Sequence, residues 1–369
     1  MKTNERVAII GGGVNGIFIS WRLCKAGYSV DLYEQGKVLK QTSSSSSKLL
    51  HGGIRYLEHG HLGLVKQALS DRAWWINAAP EFCKPIEIIL PVYDTSKRSA
   101  LKLFLGAVLY RLLAGRKSLG NSTWKGKKET IKLFSEIQYE GLKGAVSFYD
   151  AQMNEEKLGL WLKNNAVNSG VNIIENHPIN FFSSDGTLET KDNIRKNYHC
   201  VVNATGPWAS YLNKKNQIET SYDLSLIRGS HIVLDRESRN SFLFQENEGE
   251  RVIFVLPYLG KTLVGTTEIP HSFPEEIKCS VKERKYLLNV YNSNLNMQAN
   301  ESNIIAEFSG LRPVVISKKN MKATYFSYAS REAKLESSDR LLTVYGGKWT
   351  SAPSLSMKAM KIITSLENK

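Results

Sequence analysis

A glycine-rich turn close to the start of the chain, Gly11-x-Gly13-x-x-Gly16, constrains the fold more than any other feature of the sequence. An apolar run from Val7 to Ile10 precedes the turn, and a helical pattern from Val14 to Lys25 follows it. A second strand pattern then runs from Tyr28 to Glu34. Glycines let the backbone turn tightly against a pyrophosphate at a helix N-terminus, and an acidic residue at this spacing accepts hydrogen bonds from an adenosine ribose. The pattern therefore predicts a dinucleotide-binding βαβ unit.

Strand and helix patterns alternate at both ends of the chain and enclose a strand-rich middle. Helical spacing of apolar residues begins at Leu62, a capped helix begins at Asn154, and Ser280 with Glu283 forms a capping-box pattern for another helix. A final helix is predicted from about Ser351, and strand-like runs cover 230–234, 251–256, 262–266, 304–308, 323–328 and 341–345. This order predicts a nucleotide-binding domain interrupted by a second domain.

The charge of the chain favours anionic partners without identifying one. Its 369 residues include 49 Lys and Arg against 35 Asp and Glu, a net charge of +14, which is equally typical of a Lys-rich surface. The four cysteines form no CxxC pair, so we expect reduced thiols in a cytoplasmic protein and no metal site. No apolar run approaches the ~20 residues of a membrane-spanning helix, and we recognise no signal peptide.

Two further segments have residue types that suit cofactor binding. The strand pattern from His199 to Asn203 ends in a turn of small residues, Ala204-Thr-Gly206, which either lies against a cofactor or is an ordinary strand end. Residues 46–59 read Ser-Ser-Lys-Leu-Leu-His-Gly-Gly-Ile-Arg-Tyr-Leu-Glu-His and mix hydroxyls, glycines and cations without regular periodicity. That mixture favours a loop around a phosphate or flavin over a flexible serine linker.

Three basic residues, His231, Arg312 and Lys348, each lie near glycine at the end or start of a predicted strand. Taken singly, each is more typical of a surface charge than of a ligand-binding residue. Together with Arg55 they would form a cationic pocket for a dianionic phosphate.

These motifs closely resemble those of the FAD-dependent glycerol-3-phosphate dehydrogenases, which belong to the D-amino-acid-oxidase-like flavoprotein superfamily. The resemblance extends in register from about residue 5 to 350. It rests on residues 46–59 and on Asn203-Ala-Thr-Gly-Pro-Trp208, Arg228-Gly-Ser-His-Ile-Val233, Leu263-Val-Gly-Thr-Thr267, Ser309-Gly-Leu-Arg-Pro313 and Gly346-Gly-Lys-Trp-Thr350.

The resemblance implies a mixed α/β fold, in which an FAD-binding dinucleotide fold carries an inserted antiparallel-sheet substrate domain. We expect the FAD-binding domain to comprise 1–75, 145–213 and 306–369, and the substrate domain 76–144 and 214–305. Family members usually continue into a helical C-terminal domain, and we expect this chain, which ends at Lys369, to lack it.

The resemblance also implies which residues hold the cofactor and the substrate. FAD would be bound without a covalent bond, although His51 is of a type that flavins can alkylate. The substrate pocket would contain Arg55, Tyr56, His231, Arg312 and Lys348. The FAD site would comprise Gly11, Gly13, Asn15, Gly16, Glu34, Thr42, Ser43, Ser47, Lys48, His51, Gly52, Gly206, Gly347 and Thr350.

The implied reaction is oxidation of sn-glycerol 3-phosphate to dihydroxyacetone phosphate by hydride transfer to the flavin N5. Arg55, Arg312 and Lys348 would bind the phosphate and the developing alkoxide. His231 is the leading proton acceptor, because imidazole titrates near neutral pH, and Arg312 is the alternative group to polarise the hydroxyl. Alternative functions are oxidation of another small 2-hydroxy compound or polyol phosphate, and a non-catalytic FAD-binding paralogue.

Residues 97–117 form an amphipathic segment. An apolar stripe of Leu101, Phe104, Leu105, Val108 and Leu112 is surrounded by Lys97, Arg98, Lys102, Arg111, Arg116 and Lys117. This pattern predicts either a helix in the plane of the lipid headgroups, with access to a membrane quinone, or ordinary packing on the substrate domain. We therefore expect a cytoplasmic protein with peripheral association with the membrane, no nucleic-acid partner, and leave the oligomeric state open.

Overall fold

The fold is given by a computed structural model that describes residues 5–246, 251–273, 276–318 and 332–366. The helices are α1 Val14–Lys25, α2 Leu62–Ala78, α3 Ala100–Ala114, α4 Lys127–Leu133, α5 Glu155–Asn168, α6 Ala209–Lys215, α7 Val281–Asn294 and α8 Ala352–Leu366. The strands are β1 Arg6–Ile10, β2 Ser29–Tyr33, β3 Leu49–Leu50, β4 Cys83–Tyr93, β5 Thr123–Gly126, β6 Leu142–Met153, β7 Asn172–Ile174, β8 Ile179–Phe182, β9 Thr187–Thr190, β10 Arg195–Asn197, β11 Cys200–Asn203, β12 Tyr222–Leu234, β13 Ser241–Gln245, β14 Val252–Tyr258, β15 Lys261–Gly265, β16 Ile269–His271, β17 Ile304–Ser317, β18 Lys334–Ser338 and β19 Leu341–Tyr345.

A six-stranded sheet has the order β18-β19-β11-β1-β2-β7. Neighbours from β19 to β7 pair in parallel, and only β18 is antiparallel to its neighbour among these strands. Helix α1 packs against α5 and α8, and their apolar side chains share one buried core with the sheet. Because these strands are parallel, β1, β2, β7, β11 and β19 all end at the same edge of the sheet.

A second, ten-stranded sheet is mainly antiparallel. Its order is β16-β12-β15-β14-β13-β4-β6-β3, with β17 also paired to β12 and β5 to β6. The pair β12–β17 joins residues from Tyr222↔Ser317 to Leu234↔Ile304 in a long ladder. A separate three-stranded sheet contains β8, β9 and β10.

Most predicted elements are present, and some of them differ in length from the prediction. The helix predicted from the glycine turn is α1, with the predicted bounds, and Asn154 and Ser280 cap α5 and α7 through their side chains. The strand predicted at 304–308 continues as β17 to Ser317, because its pairing with β12 carries it past Gly310 and Pro313. The strand predicted at 323–328 lies outside the described residues.

The amphipathic segment forms α3, whose predicted apolar stripe is divided between two surroundings. Phe104 packs against a buried apolar cluster, whereas Leu101, Leu105 and Leu112 are exposed. The stripe is therefore narrower at the surface than the sequence indicates. The division into domains remains a prediction.

Candidate active site

The glycine turn after β1 depends on close contacts between backbones. Gly11 has a φ of +104°, and a Cβ on it would lie 2.7 Å from the carbonyl oxygen of Ala204. A Cβ on Gly16 would lie 2.0 Å from the carbonyl oxygen of Gly11. A side chain at either position would separate α1 from the ends of β1 and β11. The glycines therefore hold the start of α1 against the edge of the sheet.

Glu34 follows β2 at the same edge and is buried. Its Oε2 accepts a hydrogen bond of 2.7 Å from the Gly12 amide, and its Oε1 accepts one of 2.9 Å from the Gly36 amide. Each carboxylate oxygen has a second lone pair that can accept a hydrogen bond from a hydroxyl. Glu34 therefore stabilises the glycine turn and also lines the cavity in front of it.

The serine tract is an ordered wall of the site rather than a linker. Ser43 Oγ accepts a 3.0 Å hydrogen bond from the Val14 amide at the start of α1. Ser47 Oγ lies 2.9 Å from His231 Nε2. These contacts join the tract to the glycine turn on one side and to β12 on the other.

Asn15 joins α1 to the turn that follows β19. Its Nδ2 donates a 3.4 Å hydrogen bond to the Gly346 carbonyl oxygen, and a Cβ on Gly347 would lie 2.3 Å from the same nitrogen. Gly347 also has a φ of +97°, which favours glycine. The 346–350 loop is therefore held directly beside the glycine turn.

A single cavity of about 560 Å³ runs between these elements, within the range of small-molecule and cofactor sites. The structure brings most of the predicted site residues to its wall. Those that line it are Gly11, Gly13, Asn15, Glu34, Thr42, Ser43, Ser47, His51, Tyr56, Gly206, His231, Arg312, Gly347, Lys348 and Thr350.

Four predicted site residues, Gly16, Lys48, Gly52 and Arg55, are not among the described residues that line the cavity. Gly16 contacts the Gly11 backbone, and the ammonium of Lys48 is buried against the carboxylate of Glu155. These two therefore support the cavity wall from behind, where the sequence predicted direct contact with the cofactor.

Gly52 belongs to a buried network behind the wall. Its amide donates a 2.6 Å hydrogen bond to Tyr110 Oη, which in turn donates to Asp150. Arg72 donates to the same carboxylate at 2.8 Å, and both charged side chains are buried. A Cβ on Gly52 would lie 2.6 Å from Tyr110 Oη, so the residue is needed for packing.

His231 is buried, and its surroundings change the reason for its predicted role. Burial first, and then the positive charges of Lys48 and Arg312, lower the pKa of His231 to about 3. The ring stacks on Phe308 with centroids 4.9 Å apart, and its Nδ1 is buried with no hydrogen-bond partner among the described residues. The expectation that this imidazole titrates near neutral pH is wrong for this structure, because the charged form is desolvated and repelled. His231 is neutral at pH 7.

The two other basic residues predicted for the substrate pocket that line the wall, Arg312 and Lys348, each have a partner. Arg312 Nη1 donates a 2.7 Å hydrogen bond to Glu268 Oε1, and the Arg312 side chain is 37% exposed. Lys348 Nζ donates a 2.5 Å hydrogen bond to Tyr56 Oη and lies 4.8 Å from the centre of that ring. Both cations reach the cavity with part of their hydrogen-bonding capacity in use.

The sequence profile of the family described as FAD dependent oxidoreductase matches residues 6–354. The chain belongs to the FAD-dependent oxidoreductase family. The resemblance found in the motifs is thereby confirmed.

Relatives of this FAD-dependent oxidoreductase include three curated dehydrogenases, each 31% identical to it. The probable mitochondrial glycerol-3-phosphate dehydrogenase of Dictyostelium discoideum aligns with 97% of this chain and 61% of its own length. The aerobic glycerol-3-phosphate dehydrogenase of Escherichia coli (strain K12) aligns with 99% of this chain and 74% of its own. D-erythritol 1-phosphate dehydrogenase of Brucella abortus (strain 2308) aligns with 95% and 72%. The chain thus spans about three fifths of the length of the first relative.

The solved structure of the Bacillus halodurans glycerol-3-phosphate dehydrogenase complexed with FAD matches with a TM-score of 0.77. The match covers 100% of this chain and 66% of that chain at 22% sequence identity. This similarity confirms the predicted fold class, an FAD-binding fold with a mixed α/β architecture.

The cavity wall suits FAD at two points that the structure shows directly. Gly13, the N-cap of α1, adds no side chain of its own at the start of the helix, where a pyrophosphate is stabilised, and Ser43 Oγ accepts only the Val14 amide there. Gly206 has a φ of +60° and no atom within 4 Å of its Cβ position, so bare backbone faces the cavity. With Glu34 nearby, these residues provide the backbone donors and the carboxylate that a dinucleotide needs.

Sequence reasoning missed several residues of the wall. Thr205, Trp208 and Tyr211 follow β11, and His177 and Ile179 follow β7. All of them come after the carboxyl end of a parallel strand, which is where ligands bind in open α/β sheets. The strand patterns that end before residues 176 and 204 could therefore have indicated these wall residues.

The antiparallel strands contribute further residues to the cavity wall. These residues belong to the motifs quoted from the sequence, but no role was predicted for them. Gly229, Thr266 and Gly310 line the cavity beside His231 and Arg312. A Cβ on Gly229 would lie 2.5 Å from Thr266 Oγ1, and one on Gly265 would lie 2.2 Å from His231 Cδ2. These glycines let β12, β15 and β17 bring His231 and Thr266 to the cavity.

Proposed function

We propose that the chain oxidises sn-glycerol 3-phosphate to dihydroxyacetone phosphate with FAD as hydride acceptor. The observation that carries this proposal is the meeting of Arg312, Lys348 and His231 at one cavity that also contains the dinucleotide turn. Two cations and a neutral imidazole suit a small alcohol that carries a dianionic phosphate. The dehydrogenases of glycerol 3-phosphate among the relatives support the same substrate class.

The Arg312 guanidinium and the Lys348 ammonium would bind the phosphate. Arg312 offers planar paired donors for two phosphate oxygens, while Lys348 acts as a point charge. Their present partners, Glu268 and Tyr56, hold the two side chains in place before the substrate arrives. A substrate without phosphate would leave the Lys348 ammonium with only the neutral Tyr56 hydroxyl, and the Arg312 guanidinium with only Glu268, as hydrogen-bond partners among the described residues.

His231 would accept the hydroxyl proton, since its neutral ring is the form that can take up a proton. The low pKa of about 3 means that an isolated imidazolium is unstable there. His231 would therefore take up the hydroxyl proton while the hydride leaves the carbon that bears this hydroxyl. The negative charge in the site increases in the same step. Arg312 remains the alternative group that polarises the hydroxyl. FAD, when bound without a covalent bond, supplies the hydride acceptor.

A second candidate function is oxidation of a longer polyol phosphate. It is favoured by the 31% identity to a D-erythritol 1-phosphate dehydrogenase, since that relative aligns over 95% of this chain. Oxidation of other 2-hydroxy compounds and a non-catalytic paralogue are the remaining alternatives.

Anaerobic bleaching of the flavin by candidate substrates distinguishes these functions. We expect sn-glycerol 3-phosphate to bleach the flavin faster than D-erythritol 1-phosphate, with glycerol and lactate inactive at equal concentrations. Faster bleaching by the erythritol phosphate would establish the second candidate. Bleaching by lactate alone would indicate a hydroxy acid, and no bleaching by any of the four would support the non-catalytic alternative.

We further propose that α3 attaches the protein to anionic membranes. Leu101, Leu105 and Leu112 are 67%, 56% and 61% exposed on one helix. Each Lys or Arg near an anionic leaflet adds about 1 kcal/mol of attraction, and Lys102 and Arg116 are exposed on or beside the helix. Within the described part of the chain, no helix combines the length and the apolar character needed to cross a bilayer.

Vesicle co-sedimentation tests this attachment. With phosphatidylserine vesicles at low salt, we expect binding that weakens as salt rises and falls several-fold in the triple variant Leu101→Ser, Leu105→Ser, Leu112→Ser. The control variant Lys127→Gln, Lys128→Gln, Lys132→Gln changes exposed lysines of α4 and should bind as the wild type does. Wild-type protein that stays in the supernatant at low salt would rule out the attachment.

A further inference from the structure

The side of the cavity formed by the antiparallel strands is backed by a buried carboxylate. Glu283 lies in the first turn of α7, and its side chain is only 3% exposed. At the level of sequence it is part of a capping box with Ser280. In the structure it also makes three contacts that have no part in capping a helix.

Glu283 Oε1 accepts hydrogen bonds from Ser230 Oγ and Thr267 Oγ1, each at 2.7 Å. Its Oε2 accepts one of 2.9 Å from Arg228 Nη2, in addition to the bonds from Ser280. Burial alone would raise the pKa of this carboxyl, but the hydrogen bonds from Thr267, Ser230 and Ser280 outweigh burial and lower the pKa to about 2. Glu283 is therefore an anion at neutral pH.

The contacts extend from Glu283 through Ser230 of β12 to Ser309 of β17. Because the Ser230 hydroxyl proton is given to Glu283, its oxygen accepts from Ser309 Oγ at 2.8 Å. The Ser230 amide donates a 2.9 Å hydrogen bond to Thr267 Oγ1, which closes a ring of contacts around the carboxylate. Ser230, Thr267 and Glu283 are all buried.

Apart from the capping residue Ser280, the residues that contact Glu283 or Ser230 in this network each directly precede or follow a residue of the cavity wall. Ser230 lies between Gly229 and His231, Thr267 follows Thr266, and Ser309 precedes Gly310. In β12 and β17, successive side chains point to opposite faces, so the rear-face contacts of Ser230 and Ser309 fix the positions of their neighbours on the front face. Thr267 lies in the connection between β15 and β16, and its hydrogen bond to Glu283 holds that connection, which includes Thr266. A single carboxylate thus connects three separate segments of the chain behind the cavity.

We infer that Glu283 is a positioning residue that sets His231 and Thr266 against the cavity from behind the sheet. This inference rests on the proposed function, in which His231 accepts the substrate proton. Lys348 is not among the described residues that contact this network. Binding of the phosphate therefore depends on Glu283 less than proton transfer to His231 does.

The variant Glu283→Gln tests the inference because it keeps the shape of the side chain. An amide has one acceptor oxygen and one NH2 group, whereas four side-chain donors surround the carboxylate. At least two donors would then face an NH2 group. With sn-glycerol 3-phosphate we expect kcat to fall about 10- to 100-fold, KM to change much less, and bound FAD to be unchanged.

Ser280→Ala is the matched control, since it removes the helix-capping side chain but leaves Arg228, Ser230 and Thr267 on Glu283. We expect it to lower the unfolding temperature and to keep kcat within about twofold of wild type. If Glu283→Gln also lowers the unfolding temperature but keeps the kcat of Ser280→Ala, Glu283 serves only as a helix cap and the inference is wrong.

A second measurement separates this inference from the proposed function. The visible spectrum of bound FAD is recorded during titration with inorganic phosphate, which requires no turnover. We expect Glu283→Gln and Thr267→Val to alter the shape of the phosphate-induced difference spectrum, because His231 and Thr266 are displaced beside the bound anion, while the phosphate concentration at half-saturation stays near the wild-type value. Ser280→Ala should leave both as in wild type. A wild type that no substrate bleaches but that gives this pattern would contradict only the proposed function. Identical spectra in all four proteins would contradict the positioning role.

If Glu283→Gln does not fold, the same measurements are made on Thr267→Val, which removes one hydroxyl of the network.

Discussion

The two sides of the cavity are built from different interactions, and they should respond differently to mutation. One side consists of turns at the carboxyl ends of β1, β2, β11 and β19, where backbone packs on backbone: a Cβ on Gly16 would lie 2.0 Å from the Gly11 oxygen. The other side consists of β12, β15 and β17, which are held by ion pairs and side-chain hydrogen bonds, as in the 2.9 Å pair of the half-buried Arg228 with the buried Glu283. The first side is sensitive to added volume, and the second is sensitive to lost charge and lost hydrogen bonds.

The largest effect is expected from a single methyl group on the first side. Gly16→Ala places its Cβ against the Gly11 carbonyl, so α1 has to move away from β1 and the protein should purify with little or no FAD. The measurement is the ratio of flavin to protein absorbance after purification. In the control Gly36→Ala, the nearest atom to the new Cβ is 3.9 Å away, and the ratio should match wild type. Full flavin content in Gly16→Ala would mean that this side tolerates volume.

The next largest effect is expected from removing a cation while FAD stays bound. Lys348→Ala and Arg312→Ala should each lower kcat/KM for glycerol 3-phosphate by roughly 30- to 5000-fold, since losing one partner of a desolvated charge pair costs about 2–5 kcal/mol. The decrease in kcat/KM for Arg312→Ala should lie near the lower limit of this range, because the Arg312 side chain is 37% exposed. Arg284→Ala, which breaks an ion pair with Glu307 away from the cavity, is the control. Near-wild-type kcat/KM in both variants would place the substrate elsewhere.

The smallest effect is a change in how stability depends on pH. Because the pKa of His231 falls from its usual 6.5 to about 3 on folding, the unfolded state binds this proton more readily between those values. His231 therefore favours the folded state fully above pH 6.5, and this contribution is lost as the pH falls toward 3. The unfolding temperature of His231→Gln should rise relative to wild type as the pH is lowered from 7 to about 4.5. A difference in unfolding temperature between His231→Gln and wild type that stays constant over this pH range would contradict the shift.

The difference between local and long-range contacts explains how much of the structure could be predicted from the sequence. The bounds of α1 follow from local signals, the apolar period and the flanking glycines, and the structure has them at Val14 and Lys25 as predicted. The contacts of Lys48 do not follow from local signals, because its partner Glu155 is 107 positions further along the chain. Motif resemblance places Lys48 at the cofactor, whereas the fold places it behind the wall.

The pKa of His231 could not be predicted for a related reason. The usual pKa of imidazole holds in water, whereas this ring is enclosed by Phe308, Ser47 and the close backbone of Gly265. Likewise, the capping-box pattern identifies Glu283 as the start of a helix but gives no sign of Ser230 or Thr267. The local role of a residue, such as capping a helix, can be predicted from the sequence, whereas its contacts across the sheets depend on the register in which the strands pair.

The most direct test of the proposed activity is a single anaerobic turnover. The purified protein with bound FAD is mixed with excess sn-glycerol 3-phosphate, and the bleached flavin and the dihydroxyacetone phosphate are both quantified. We predict complete bleaching with one equivalent of dihydroxyacetone phosphate per FAD, and no product from the mirror-image sn-glycerol 1-phosphate. Flavin that keeps its colour, or that bleaches without forming dihydroxyacetone phosphate, would contradict the assignment.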